Sequence, residues 1–598
     1  MKNLDLMGSF PYDRHRVMRD GQKIAFEELR GVEGKAIIES PVGTGKTAVG
    51  ITYLSALEKR LKAERNFGGH LFYIAPNKAL VEQVHTLYPK VNVVYGRNEH
   101  PCFYYKDEDL KADEIPCSML TDCPHRVDQE TGKTHTAGAK PCAYLKQKYE
   151  AKKNPGIIVC TNAFFLYSVL FSKEFTPVGV VIDEAHRMAQ SIRSVLQTEI
   201  TDWKVQRAVD VLDEVNPRQC AKLSAFLASM KRTVKHYAMG KETLLEEEQI
   251  QRLYETLSAV NTDALEGEVR RAIAKGKLDK KADREVIKQV EDIARSVRRF
   301  RYALSFTMAT KERPPLSFIF AYGKTEMGEH DKVQYKIVVK DYYVVPLIKK
   351  MLPEHTLAYS ATISDPELFE FETGIKGTFA SIPSGFPVEN ARIYMPTDTA
   401  NLATAKCGKQ DKTRSLRLIA KTAKKFARKG MRSLIIVVSN AERQKFLMLA
   451  GEEGLDVLSY GEGVTARECA FRFQKGEGEC LVGTMANFGE GIDLPKQMAP
   501  VIFYLRPGYP RPNDPQTVFE ERRFRNRRWA LWNWRVMVEL LQVRGRNIRS
   551  ETDLGVTFLI SQQFRRFAFG ALPSWLEPAY RGNSTLDECV KDAMKLLS

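Results

Sequence analysis

Two kinds of hydrophobic pattern alternate along this chain, and a third interrupts them. Short, almost wholly apolar runs, Ala36-Ile37-Ile38 ahead of Glu39, Ile157 to Cys160 and Val178 to Ile182, read as buried parallel strands. Thr47 to Leu57 follows the first of them with helix-compatible spacing. After Ser360 the alternation returns: Ser433 to Val438, Cys480 to Gly483 and Val501 to Leu505 are strand-like and separated by helical stretches, which predicts a second α/β unit. From Ile200 to Met308 glycine and proline are few, and charge-rich stretches with Leu/Val spacing, such as Glu242 to Leu257 and Asp283 to Ala303, predict an inserted helical domain. A long coiled coil is the alternative, but no apolar heptad persists for roughly three or four repeats.

A chain of 598 residues is too long for one hydrophobic core, and 43% hydrophobic residues suffice for several. No run reaches the roughly 18 apolar residues of a membrane span, so a soluble protein without a membrane partner is expected. Met1 to Arg16 lacks an apolar core and carries Asp5 and Asp13, which argues against a secretory signal and for a cytoplasmic location. Lys and Arg outnumber Asp and Glu by 91 to 74, a balance that favours polyanionic partners.

Candidate chemistry begins at the end of the first strand. Ser40-Pro41-Val42-Gly43-Thr44-Gly45-Lys46-Thr47 matches a phosphate-binding loop with Ser40 in place of its first glycine. Gly43 and Gly45 let backbone N–H groups turn to a phosphate, Lys46 reaches the β/γ-phosphates of ATP, and Thr47 can hold Mg²⁺. Asp183 and Glu184 directly follow the strand-like run that ends at Ile182. There Asp183 can hold Mg²⁺ through water and Glu184 can polarise the attacking water, although an acidic pair after a strand is otherwise often a helix cap.

Asp183-Glu184-Ala185-His186 together with this loop resembles a superfamily 2 helicase, and the resemblance runs along most of the chain. Ser360-Ala361-Thr362 resembles the motif that couples hydrolysis to strand separation. Gly489 to Asp493 resembles a second-domain motif whose Gly491 and Asp493 touch nucleotide. Gln542 to Arg549 resembles the arginine-finger helix, with Gln542, Arg546 and Arg549 as its catalytic side chains. Two arginines three apart share a helical face and can reach a γ-phosphate across a cleft. Arg19 to Gln22 resembles an adenine-reading element, Gln22 offering both a donor and an acceptor. Ser439-Asn440, Ala75-Pro76-Asn77 and Ser561-Gln562-Gln563 depart from the family's usual wording of those motifs.

Of ten cysteines, Cys102, Cys117, Cys123 and Cys142 cluster, separated by 14, 5 and 18 residues. Four thiolates can bind a [4Fe-4S] cluster or a tetrahedral zinc ion, and structural zinc sites usually pair cysteines two to four residues apart. Position and the flanking Gly96-Arg97-Asn98 and Cys142-Ala143-Tyr144 resemble the iron-sulfur domain of XPD/DinG helicases.

The resemblance implies an α/β fold of two RecA-like P-loop motor domains with an inserted iron-sulfur domain and an inserted helical arch. The expected division is 1–95, 156–198 and 311–365 for the first motor, 96–155 for the cysteine domain, 199–310 for the arch and 366–598 for the second motor. It further implies a monomer that binds ATP, Mg²⁺ and a [4Fe-4S] cluster, moves 5′ to 3′ on single-stranded DNA and meets duplex junctions. Its setting would be a repair or CRISPR effector complex. Five arginines in Arg522 to Arg528, followed by Trp529, Trp532 and Trp534, suit phosphates and bases of a single strand, or form part of a core.

Overall fold

A computed structural model describes all residues except 1–3, 42, 65–67, 106–108, 121, 155, 235–239, 311–316, 328–331, 404–406, 490–493, 495–497, 546, 549 and 571. Two seven-stranded sheets, every pairing parallel, form two RecA-like units. The first sheet contains β1 (Ala36–Glu39), β2 (Pro177–Ile182) and β3 (His355–Ser360). Strand β3 lies between β1 and β2, with Glu39 opposite Ser360 and Ile182 opposite Ala358. The phosphate loop, Asp183-Glu184 and Ser360-Ala361-Thr362 therefore emerge side by side at the C-terminal edge, where parallel sheets place their ligands. These strands are largely apolar because helices cover both faces; α1 (Lys46–Ala63) packs on one side.

The chain returns to the first sheet later than the expected division places it. Thr378–Ser381, assigned by that division to the second motor, pairs in parallel with β1. The expected arch likewise gains strands. Phe318–Met327 and Lys332–Asp341 form an antiparallel hairpin in a four-stranded sheet with Thr198–Thr201 and Thr243–Leu244. Phe318, Phe320, Tyr322, Ile337 and Val339 join the core of the helical insert, so the hairpin covers helices that would otherwise expose apolar faces. Among the described residues no helix is long and apolar enough to cross a membrane.

Residues 96–155 hold little regular structure before the helix Ala143–Lys153. A small core of Tyr105, Ile115 and Leu120 supports the cysteine loops. This module docks on α2 (Arg284–Thr310) of the insert: Ser118 donates from its backbone N–H (3.2 Å) and its hydroxyl to Glu291. Tyr105 adds a bond to the Lys280 carbonyl at 2.7 Å, and Asp122 an ion pair with Lys280.

Helix α3 (Arg528–Arg544) joins the two motors. Leu531, Trp534 and Val538 sit in a first-motor core with Ala185, Met188 and Ile363, while Val536, Met537, Leu540 and Val543 sit in a core of the second. Trp534 Nε1 donates to the Ile363 carbonyl at 2.7 Å and Trp532 Nε1 to Glu520 at 2.6 Å. Trp532 and Trp534 are thus core residues, and of the three tryptophans only Trp529 is exposed, at 47%.

Beside them lies a buried ionic cluster. Arg535 donates to Glu520 at 2.8 Å and to Glu372 at 3.4 Å; Arg193 also pairs with Glu372, and the Tyr342 hydroxyl donates to Glu520 at 3.0 Å. Burial opposes ionisation of Glu372, yet Arg193 and Arg535 together bring its carboxyl down to about 2. Its contribution to stability is full above the unfolded carboxylate's pKa and is lost as pH falls toward about 2. Removing one partner leaves buried charge uncompensated, so Arg535→Met is expected to cost about 3–5 kcal/mol. Urea unfolding at pH 7 measures it, and an unchanged midpoint contradicts the assignment.

Candidate active site

The site is assembled from the ends of β1, β2 and β3 and the C-terminal turn of α3. The loop after β1 turns on Gly43 (φ 92°) and Gly45 (φ 79°), a backbone region that glycine adopts without strain. Ser40 Oγ and Thr44 Oγ1 lie 2.6 Å apart, and Thr44 donates to the Pro41 carbonyl at 2.8 Å. Lys46 Nζ folds back to the Ser40 carbonyl at 3.1 Å and stands 3.9 Å from Glu184 Oε1. Thr47, in the first turn of α1, lies against the Tyr73 hydroxyl.

Arg19 and Gln22 meet this loop from outside. Arg19 donates to the Gly43 carbonyl, and the Gln22 amide donates to the Gly45 carbonyl at 3.2 Å while accepting from the Arg19 N–H at 2.9 Å. Both ends of the Gln22 amide are thus engaged. Reading an adenine requires these bonds to be exchanged.

Asp183 is buried and Glu184 half-buried, with Lys46 the near cation. Burial first, then the charge of Glu184, push Asp183 well above the usual carboxylate range, against Lys46 and the Tyr73 hydroxyl, which donates to Asp183 Oδ2 at 2.9 Å. Burial also works against the Glu184 charge, but Lys46 and the Ser360 hydroxyl oppose it and the carboxyl is held low. Two adjacent acids with one ammonium form a donor set that fits a divalent cation, whose charge would restore ionisation of Asp183.

A hydrogen-bonded relay leads from Glu184 to the second motor. The Gln542 amide N–H₂ donates to His186 Nε2 at 2.7 Å. The neutral ring then carries its proton on Nδ1 and donates it to Ser360 Oγ at 2.6 Å. Ser360 in turn donates to Glu184 Oε2 at 3.1 Å. Burial lowers the His186 pKa to about 4, which keeps the ring neutral. Glu39 braces the same loop: its buried carboxylate accepts from the backbone N–H of Ile363 (2.8 Å) and Ser364 (2.6 Å).

Lys46, Thr47, Asp183, Glu184 and Gln542 are therefore brought together. Gly491, Asp493, Arg546 and Arg549 lie outside the described residues. His186, Ser360 and Glu39 are positioning residues: the first two lie in motifs read from the sequence without a role of their own, and an isolated acid closing an apolar strand is the only signal for Glu39.

The four cysteines occupy one module, where Cys117 and Cys123 each interact electrostatically with both Cys102 and Cys142. Four thiols gathered in one module fit a four-thiolate group in chemistry. Among the described residues, no three Cys, His, Asp or Glu side chains stand close enough to hold an ion as placed. A polar cleft of about 580 Å³ separates Arg187 and Gln190 of the first motor from Ser439, Asn440, Asn487 and Arg511 of the second.

Residues 19–234 match the DEAD/DEAH box helicase family and residues 413–579 the helicase C-terminal domain family. No curated protein matches the chain. Among solved structures, one titled XPD helicase aligns with a TM-score of 0.58 at 17% identity, covering 92% of this chain and 96% of its own. An XPD apo structure aligns at 0.53 and 16% identity, covering 92% and 97%. Xpd4 of S. tokodaii aligns at 0.54 and 12%, covering 94% and 99%. At these identities the likeness shows the fold.

The relay makes His186 a pH-sensitive element. Its folded pKa is depressed, so the unfolded chain binds the extra proton and stability falls as pH drops through about 6.5 toward 4. Between pH 7 and pH 5 the wild type is expected to lose about 2 kcal/mol more than His186→Asn. Denaturant titrations of both proteins at the two pH values check this; equal losses contradict a neutral buried ring.

Proposed function

We propose that this chain is an ATP-dependent DNA helicase of superfamily 2, of the XPD/DinG type, which hydrolyses ATP to travel 5′ to 3′ along single-stranded DNA. Unwinding of duplex, R-loop or D-loop structures follows, in repair, replication or mobile-element processing. The observation that carries the reading is the Glu184–Ser360–His186–Gln542 relay, which joins the water-activating carboxylate of one motor to the finger-bearing segment of the other.

In this reading Lys46 and the loop amides hold the phosphates, and Thr47 and Asp183 would hold Mg²⁺. That ion neutralises charge on the transferring phosphoryl group. Glu184, kept ionised by Lys46 and Ser360, orients the attacking water. Arg546 and Arg549 are assigned to γ-phosphate charge, Gly491 and Asp493 to the nucleotide's second-motor side, and Arg19 and Gln22 to loop shape and adenine. Loss of the γ-phosphate changes what Glu184 faces, and the relay carries that change to α3.

The strand is assigned to the polar cleft. Arg187 and Arg511 face phosphates there, with the helix N-terminus capped by Ser439. Trp529, exposed beside Tyr509, is available to a base. Cys102, Cys117, Cys123 and Cys142 are assigned to a [4Fe-4S] cluster, which would cross-link a module with little core of its own. Through Ser118 and Glu291 that module is fastened to the insert beside the duplex junction.

Strand displacement on duplexes with a 5′ or a 3′ single-stranded tail, using anaerobically purified protein and Lys46→Ala as control, tests the reading. Unwinding from the 5′ tail alone, lost in the control, is expected. Nucleic-acid-stimulated hydrolysis without unwinding from either tail would instead make the protein a translocase or remodeller.

A further inference from the structure

Three buried polar atoms at the junction of the motors have no partner among the described residues: Gln542 Oε1, Arg544 Nε and Trp575 Nε1. The Gln542 amide is tied into the relay through its Nε2. Arg544 and Trp575 are not. The Arg544 guanidinium lies over the Trp575 ring at 5.4 Å, and together they wall a cavity whose opposite side is Pro41 of the phosphate loop, Ala361 and Phe386. Its free volume, about 20 Å³, suits one water molecule or one oxygen atom of a ligand. Among the described residues no carboxylate lines it.

A buried guanidinium with no counter-charge is costly unless an anion arrives. Burial lowers the Arg544 pKa only to about 10, so the group stays cationic at neutral pH. Of its neighbours on the first motor, Pro41 belongs to the phosphate loop and Ala361 follows Ser360 of the relay. The Trp575 ring face holds the cation beside this space, and its indole N–H, without a partner among the described residues, adds a second donor.

We propose that Arg544 is a further nucleotide-contacting arginine, donating from the second motor to a terminal phosphate oxygen of the bound nucleoside triphosphate, with Trp575 orienting it. The proposal rests on the ATP reading of the site and adds to it a residue distinct from Arg546 and Arg549. Arg544 then reports whether a third phosphate is present, because an anionic oxygen in the cavity supplies the missing counter-charge. Its nucleotide-free state is the less favourable one.

The full-length chain, with Mg²⁺ and either ADP or a non-hydrolysable ATP analogue, provides the test, using Arg544→Met, Arg544→Lys, Trp575→Phe and the Lys46→Ala control. For Arg544→Met, affinity for the analogue is expected to fall at least about tenfold and for ADP less than about twofold. The nucleotide-free thermal midpoint should not fall, since an uncompensated charge has been removed. Arg544→Lys should retain part of the analogue affinity, which keeps the test decisive if the Met variant folds poorly. Equal losses for ADP and analogue, or a lowered nucleotide-free midpoint with analogue affinity intact, would overturn the proposal in favour of a packing role. Wild-type protein that binds neither nucleotide would overturn the ATP reading itself and this inference with it.

Discussion

Helix α3 buries opposite faces in two different hydrophobic cores, and this double burial is the constraint on which the rest of the structure depends. A side chain packed at interior density cannot slide freely, so displacement of one motor is felt at the other through Trp534, Val538 and their counterparts on the far face. Midway along, the helix is pinned by the Arg535 cluster to the first motor and to the root of the insert. Its C-terminal turn delivers Gln542 to His186. The same element that holds the motors together therefore carries the group that senses the chemistry.

Electrostatics gives that sensing its direction. Asp183, buried, and Glu184, half-buried beside it, are served by one ammonium, and their environments push the two carboxyls apart. Glu184 retains its charge through Lys46 and through a serine whose own proton is directed by a neutral histidine. Polarity along the relay is thereby fixed, with amide donating to ring, ring to hydroxyl and hydroxyl to carboxylate. Altered charge at Glu184 changes the demand on each bond in turn, and the final bond is to the other motor.

Much of the site was legible in the sequence because its local chemistry is local in the chain. The apolar run ending at Glu39, the glycines at 43 and 45, and the acids after Ile182 each place a strand end and a loop without long-range information. The relay was not legible, because it joins residues 174 and 356 positions apart. Nor does pattern show that Gln22 spends its amide on Gly45. Trp532 and Trp534, in an arginine-rich segment suited to nucleic acid, are claimed by cores that the segment itself does not contain. The hairpin 318–341 escaped because lysines interrupt its apolar alternation. Lys336 and Lys340 are partly buried there against Glu242, at 2.8 and 3.0 Å.

The central claim is that Gln542 couples the hydrolytic carboxylate to movement of the second motor. The most direct test is the ratio of ATP hydrolysis with and without saturating single-stranded DNA, in wild type and in Gln542→Leu, which fills similar space but cannot donate to His186. The account expects DNA-independent hydrolysis to persist in the variant while stimulation by DNA largely disappears. Full stimulation in Gln542→Leu would contradict it and make the contact with His186 a feature of packing alone.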